Sequence, residues 1–223
     1  GDVINFIQIL GSVLDLGVPS DSTVSLAKLS ATGTKNSTTF LRGDNTFAAV
    51  TSPDYVLLAT NDASSVSSVS FDGFFSSTYK NYKVILSNLT SSASSTWFNI
   101  IFRRSNADIT TSNYYNANFQ VYRTSGASGD YNNSEWGASN IQFIVMSGNA
   151  SYQGAGEVTL YDAFGSSNYK NLTAIGTYWE NTSSYRTTIN GAILQDNTNA
   201  LSGITFKPDA GTMSGTFKLY GIK

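Results

Sequence analysis

The amino-acid sequence predicts an all-β protein whose main part is an antiparallel β-sandwich, jelly-roll-like in style. Three observations indicate this class: short alternations of apolar and polar residues recur from Tyr55 onward, clusters of Ser, Gly and Asn separate them, and helical periodicity is missing between them. A short helix and an extended segment are predicted before the sandwich, which divides the chain into residues 1–53 and 54–223. With 40% hydrophobic and 13% aromatic residues, the 223-residue chain has ample apolar surface for a core.

The helix is predicted within the first 16 residues, where apolar residues recur at spacings of three and four. That spacing places them on one face of a helix, and such a face requires a partner. The extended segment, residues 18–50, carries small and polar side chains with isolated apolar ones that are too sparse to build a core. It is either a disordered linker or a strand that becomes ordered by wrapping around copies of itself. Because linkers rarely carry Phe and Leu, the composition favours the second interpretation.

The sandwich is predicted as short strands with one buried face. The alternation is clearest around Val84 and Ile100, where apolar residues stand at every second position. Further predicted strands are residues 119–122, 141–146, 158–161, 174–179 and 217–222. Trp97 and Trp179 are predicted to pack in the core, because Trp97 alternates in phase with Ile101 and Trp179 with Ile175.

Turns are predicted from residue types that tolerate unusual backbone angles. Asn190-Gly191 lies between two runs suited to strands, within residues 185–195, and is predicted as the type I′ turn of a hairpin. Clusters of Ser, Gly, Ala and Asn at residues 91–95, 125–129 and 165–168 mark further turns.

The composition excludes several kinds of chemistry. Since the chain has no His and no Cys, it lacks the residues for Ser-His-Asp or Cys-His catalysis, for the usual zinc, haem and iron–sulfur sites, and for disulfides. Its 13 basic and 15 acidic residues form no cluster suited to nucleic acid, and no apolar run is long enough for membrane insertion. A calcium loop of the Asp-x-Asp-x-Asp type is also missing, so no metal and no other cofactor is expected.

Paired carboxylates are the remaining catalytic arrangement, because glycosidases use two acidic groups on either side of the bond they cleave. The candidates are Asp108, Asp130, Glu135, Glu157, Asp162 and Glu180. Glu157, Asp162 and Glu180 adjoin predicted strands, which is typical of solvated strand ends, so no catalytic residue is assigned. A depolymerase of surface polysaccharide that uses two of these acids stays as the enzymatic alternative.

Two predicted loops combine aromatic rings with amide and acidic groups, which suit the C–H faces and the hydroxyls of sugars. The residues are Tyr131, Asn132, Glu135 and Trp136 in one loop and Asn113, Tyr114 and Tyr115 in the other. We expect them to bind a surface glycan or a protein receptor. The alternative for Trp136 is a loop anchor folded onto the sandwich.

Two runs near the N-terminus carry a resemblance to a known family. Residues 26–34 read Leu-Ala-Lys-Leu-Ser-Ala-Thr-Gly-Thr, and residues 37–48 read Ser-Thr-Thr-Phe-Leu-Arg-Gly-Asp-Asn-Thr-Phe-Ala. They resemble a linker motif of phage tail fibre proteins, especially those of marine podoviruses, over about 20 residues. Phe47 stands where that family often has Trp. Residues 217–223 are similar in style to the last strand of the β-sandwich tips of such fibres.

The resemblance implies a homotrimeric fibre of the virion, made in the cytoplasm of a bacterial host, whose C-terminal tip meets the host surface. Its partners are then two further copies of the chain, the rest of the fibre or virion, and a host receptor such as a polysaccharide. The residues expected at the contacts between copies are Ile7, Leu10, Leu14, Leu26, Leu29, Phe40, Leu41 and Phe47. A purely structural module, such as a collar or head fibre, is the other non-enzymatic alternative.

Glycines within this motif are expected at turns or at close approaches of the chain, in particular Gly33 and Gly43. The tripeptide Arg42-Gly43-Asp44 is the one that integrins recognise. Here it is predicted as two charges flanking a glycine turn, because tripeptide matches are frequent by chance.

Overall fold

The computed structural model describes residue 25 and residues 30–50, 53–181, 184–195 and 199–223. It divides into two compact units, with the boundary between Ser52 and Pro53. The described residues contain no helix whose length and apolarity suit a bilayer crossing. Five of the expected trimer contacts, together with the predicted helix, lie outside the described residues: Ile7, Leu10, Leu14, Leu26 and Leu29.

The first unit contains an antiparallel hairpin of β1 (Thr39–Leu41) and β2 (Phe47–Ala49). The Arg-Gly-Asp tripeptide lies in its turn, as predicted, and Asn45 completes the turn with a φ of 62° and a backbone N–H that donates to the Arg42 carbonyl oxygen at 3.0 Å. The Thr46 hydroxyl donates to Asp44 Oδ1 at 2.6 Å, and this hydrogen bond lowers the pKa of Asp44. Gly33 is required by a close approach, because a Cβ there would overlap the carbonyl oxygen of Phe47.

The second unit is a sandwich of two antiparallel sheets, which confirms the predicted fold class. Its strands are β3 (Tyr55–Val66), β4 (Val69–Asp72), β5 (Asn81–Ser91), β6 (Thr96–Arg104), β7 (Ala107–Asp108), β8 (Tyr114–Thr124), β9 (Ser128–Ala138), β10 (Ile141–Met146), β11 (Gly154–Tyr161), β12 (Lys170–Asn181), β13 (Ser184–Leu194), β14 (Gly203–Pro208) and β15 (Met213–Ile222). The large sheet has eight strands in the order β3-β15-β5-β11-β12-β13-β8-β9. The small sheet has the order β10-β6-β14-β4, with β7 paired to the end of β6.

The core lies between these two sheets and is rich in aromatic rings. Phe98 and Phe206 of the small sheet contact Phe217 of the large sheet, with ring centroids 6.1 and 5.6 Å away. Tyr82, Val84 and Leu86 are all buried on the inner face of β5, which confirms the predicted alternation. The other predicted strands of the sandwich also lie within strands of the structure.

The predicted hairpin turn at Asn190-Gly191 is wrong. Both residues lie inside β13, which pairs with β12 on one side and with β8 on the other. Asn190 is buried, and its Nδ2 donates to the Gln142 carbonyl oxygen at 2.9 Å, whereas Gly191 lies on the opposite, exposed face of the sheet. Pairing along both edges of the strand therefore overrides the local turn preference.

The predictions for the two tryptophans have different outcomes. Trp97 is partly buried against the core, as predicted. Trp179 is 40% exposed and lies on the outer face of the large sheet together with Ile175, so its assignment to the core is wrong. The alternation correctly places Trp179 and Ile175 on the same face of β12. That face is the outer one, because Ala174 and Tyr178 occupy the inner positions.

Tyr114 closes one end of the core and gives a test of the fold. Its side chain is fully buried, and its hydroxyl donates to the Ile109 carbonyl oxygen at 2.8 Å and accepts from the Phe102 N–H at 3.0 Å. Tyr114→Phe removes both hydrogen bonds, so we expect the free energy of unfolding in urea to fall by about 1–3 kcal/mol. Tyr169→Phe, at a side chain that is 48% exposed, should change it by less than about 0.5 kcal/mol. Equal losses in both variants would contradict the role of Tyr114.

Candidate functional site

The first segment predicted as a binding loop is a strand, so its assignment as a loop is wrong, whereas residues 109–113 of the second lie outside the strands and lead into β8. Residues 128–138 form β9, the edge strand of the large sheet, and β9 pairs with β8. This pairing places Trp136 opposite Tyr115, with ring centroids 4.7 Å apart and ring planes at 84°. Trp136 is 88% exposed, more than any other large apolar side chain of the described residues. The structure therefore brings one residue from each predicted loop together on an accessible surface.

The other predicted residues do not all share that surface. Asn132 does, because it pairs with Phe119 on the outer face of β8. Glu135 points to the inner side of β9, where its Oε2 accepts a hydrogen bond of 3.2 Å from the Asn116 amide. Tyr131 also points to the inner side of β9, because it is two positions from Asn133 and pairs with the buried Gln120 of β8.

Asn113 and Tyr114 have structural roles instead. The Asn113 carbonyl oxygen accepts a hydrogen bond of 2.9 Å from the Gln195 N–H, which ties the start of β8 to the end of β13. Tyr114 is fully buried, so it cannot contact a ligand at the surface, and the expectation that it binds a receptor is wrong.

Trp136 and Tyr115 begin a row of side chains that crosses the outer face of the large sheet from strand to strand. The strand registers align the first row as Trp136, Tyr115, Ile193, Asn171 and Tyr161. The middle row, two residues further along each strand, is Ser134, Ala117, Gly191, Thr173 and Thr159. The third row is Asn132, Phe119, Ile189, Ile175 and Glu157. Alternate residues of a strand share a face, so all three rows lie side by side on one surface.

The middle row forms the floor of a depression between two walls of larger side chains. The space between the first and middle rows has a volume of about 510 Å³, and that between the middle and third rows about 410 Å³. Ala117, Ser134 and Gly191 line both spaces. We name this depression, with its three rows, the cross-strand trough. The rows cross five strands, which corresponds to about 19 Å at the usual strand spacing. The first space is lined by residues of all five strands, and the second by residues of β9, β8 and β13.

The chemistry of the cross-strand trough is apolar and hydrogen-bonding, and Glu157 at its β11 end is the one charged residue of the three rows. Its first four strands, β9, β8, β13 and β12, contribute three positions each, and none of these twelve positions carries a charge. The hydroxyls of Tyr161 and Thr173 lie 3.0 Å apart and form a hydrogen bond with each other. The trough ends at β11 and β5, where Glu157 forms an ion pair of 3.1 Å with Lys83.

The candidate acids are held in separate places. Asp108 pairs with Arg103 at 2.5 Å, and Glu180 pairs with Arg186 at 2.6 Å. Asp130 and Glu135 lie five positions apart on opposite faces of β9, which separates them by about 17 Å. No group of three or more acidic side chains within the described ranges is placed to hold a metal ion.

No protein-family model, curated protein or solved structure matches this chain. The floor residues Gly191, Thr173 and Thr159 were not predicted as site residues, because nothing local distinguishes them. The alternation of exposed Asn171, Thr173 and Ile175 with buried Leu172 and Ala174 indicates that β12 is a strand with one exposed face, but not which strands it pairs with.

The exposure of Trp136 can be measured directly by quenching of tryptophan fluorescence with acrylamide. Because Trp97 is partly buried and Trp179 is 40% exposed, Trp136 should account for most of the readily quenched emission. We expect Trp136→Phe to remove that component and Trp97→Phe to retain it. Unchanged quenching in Trp136→Phe would contradict the position of this side chain.

Proposed function

We propose that this chain is the tip region of a bacteriophage tail fibre, which assembles as a homotrimer and adheres to the host cell surface without catalysis. The observation that carries the binding part is the cross-strand trough, in which Trp136 and Tyr115 adjoin a floor of small and hydroxyl side chains. The resemblance of residues 26–48 to the tail fibre linker motif supports the fibre part. The proposed location is the virion, with the rest of the fibre and a host receptor as partners.

The hairpin of the first unit supports assembly with other copies. Phe40 and Leu41 are adjacent in β1, and their side chains are 48% and 44% exposed. Phe47, the third expected contact among the described residues, is half-buried, with Lys35 Nζ 5.8 Å from its ring centroid. Consecutive residues of a strand point to opposite faces, so each face of the hairpin offers one exposed apolar side chain, which loses unfavourable contact with water when it packs against another chain.

Sedimentation velocity tests the trimer. The wild-type chain should sediment as a species of three times 23.9 kDa, and replacing Phe40 and Leu41 together by Ser should shift it toward the single chain. The matched control replaces Phe164 and Tyr169 by Ser, which are 38% and 48% exposed in the second unit, and should leave the trimer intact. A wild-type chain that sediments as a monomer would overturn the assembly part of the proposal.

Adhesion is tested with fluorescently labelled protein and a panel of marine bacterial isolates. We expect the wild-type protein to bind at least one isolate and Trp136→Ala to raise the half-saturating concentration about tenfold or more, since about 1.4 kcal/mol suffices for that change. Trp179→Ala is the matched control, because Trp179 lies on the same face of the sheet but outside the trough.

Two results would contradict adhesion through the trough: no binding of the wild-type protein to any isolate, or equal binding by Trp136→Ala. Polysaccharide extracted from a bound isolate distinguishes adhesion from depolymerisation. We expect no new reducing ends after incubation with the protein, and their appearance would favour the hydrolytic alternative.

A further inference from the structure

We infer that the cross-strand trough takes a linear, uncharged polysaccharide whose chain runs across the strands, from the edge strand β9 toward β11. This inference rests on the proposed function, because it names the class of receptor that the trough binds. The inference goes beyond the proposed function because it excludes protein and anionic glycans as the ligand. It also states how the bound chain is oriented, namely across the strands.

The shape of the trough fits a chain better than a compact group. The walls are four residues apart along each strand, which places their Cα atoms about 13 Å apart, whereas the floor extends about 19 Å across the strands. The floor is lowest at Gly191, on the central strand of the five, where a Cβ would meet no atom within 4 Å. Because β9 is the edge of the sheet, a polymer can continue beyond Ser134 without meeting a further strand.

The charges around the trough favour an uncharged ligand. Recognition of carboxylate or sulfate groups normally uses Arg or Lys, and the twelve positions on β9, β8, β13 and β12 include neither. The nearest cation on β5, Lys83, is already paired with Glu157. Asp130 lies on β9 two positions beyond Asn132 on the same face, so a carboxylate flanks the trough at its edge strand and would repel an anionic chain.

The walls and floor offer the two kinds of contact that sugars use. Trp136 and Tyr115 present ring surfaces to C–H groups, and Ile193 extends this apolar wall onto β13. On the floor, the hydroxyls of Ser134, Thr173 and Thr159 are donors and acceptors for sugar hydroxyls.

The same floor argues against a second copy of the chain as the occupant. A flat protein surface resting on the walls would cover these hydroxyls without reaching them. Polar groups that lose water without gaining a partner cost free energy, roughly 1–3 kcal/mol each. A single polysaccharide chain is slim enough to enter between the walls and satisfy them.

Affinity electrophoresis tests the inference on the full chain. Native gels contain a neutral polysaccharide (laminarin, mannan or dextran) or an anionic one (alginate or polygalacturonate). We expect at least one neutral polymer to retard the wild-type protein and neither anionic polymer to do so. Gly191→Val should reduce the apparent affinity about tenfold or more, because its side chain fills the floor, while valine suits a strand and meets open space.

Gly126→Val is the matched control, since a Cβ at Gly126 also meets no atom within 4 Å, and Gly126 lies in the turn between β8 and β9. It should retain the retardation, and circular dichroism should show that both variants fold. The inference is overturned if no neutral polymer retards the protein, if an anionic polymer retards it equally, or if Gly191→Val binds like wild type.

Sedimentation velocity of Gly191→Val tests whether a second copy of the chain occupies the trough instead. If this variant loses the oligomeric state of the wild type, the trough is an interface between copies and the inference fails. Failure of the proposed function has a different signature. Retardation by a neutral polymer without adhesion to any isolate would reject host attachment, whereas adhesion that depends on Trp136 without any such retardation would reject the polysaccharide.

Discussion

Side chains on β8, β12 and β13 alternate between a buried and an exposed face, and both the core and the cross-strand trough depend on this alternation. On β13, for example, Ala192 and Leu194 enter the core while Gly191 and Ile193 lie in the trough. Sliding this strand by one residue would expose the core side chains and bury the trough residues together. The packing that fixes the register of the core therefore also aligns the three rows of the trough.

Buried polar side chains also fix the strand register, because each of their hydrogen bonds requires one specific partner residue. The Thr188 hydroxyl donates to Asn118 Oδ1 at 3.1 Å, and the Tyr178 hydroxyl donates to Gln120 Oε1 at 3.2 Å, in both cases within the large sheet. Asn190 Nδ2 reaches the Gln142 carbonyl oxygen of the small sheet at 2.9 Å. A shifted register would break such pairs in a buried environment, at a cost of roughly 1–3 kcal/mol for each group left unpaired. These residues thus connect the trough floor, through β13, to the opposite sheet.

The sequence predicted the sandwich because most core strands alternate with period two, as around Val84. It failed where a tertiary contact overrides a local preference, as at Asn190-Gly191, and where polar residues form an edge strand, as in β9. It nominated Trp136 and Tyr115 as binding residues because aromatic residues among amides are locally recognisable, and the structure places these two side chains together. It could not identify Thr173 and Thr159, since their part in the trough is set by pairing between strands that the sequence does not align.

The cross-strand trough and the exposed hairpin residues have complementary consequences in the proposed homotrimer. Because Glu157 is the only charged residue of the three rows and is paired with Lys83, each trough would gain only a modest free energy from the proposed sugar, whose hydrogen bonds replace comparable bonds to water. A trimer presents three troughs, and a polysaccharide repeats its unit across a cell surface, so simultaneous binding raises the avidity by a factor of about 10²–10⁴. In the proposed homotrimer, packing of Phe40 and Leu41 between copies would convert weak recognition into stable adhesion. Under this proposal, assembly and binding form one mechanism, even though they use different units of the chain.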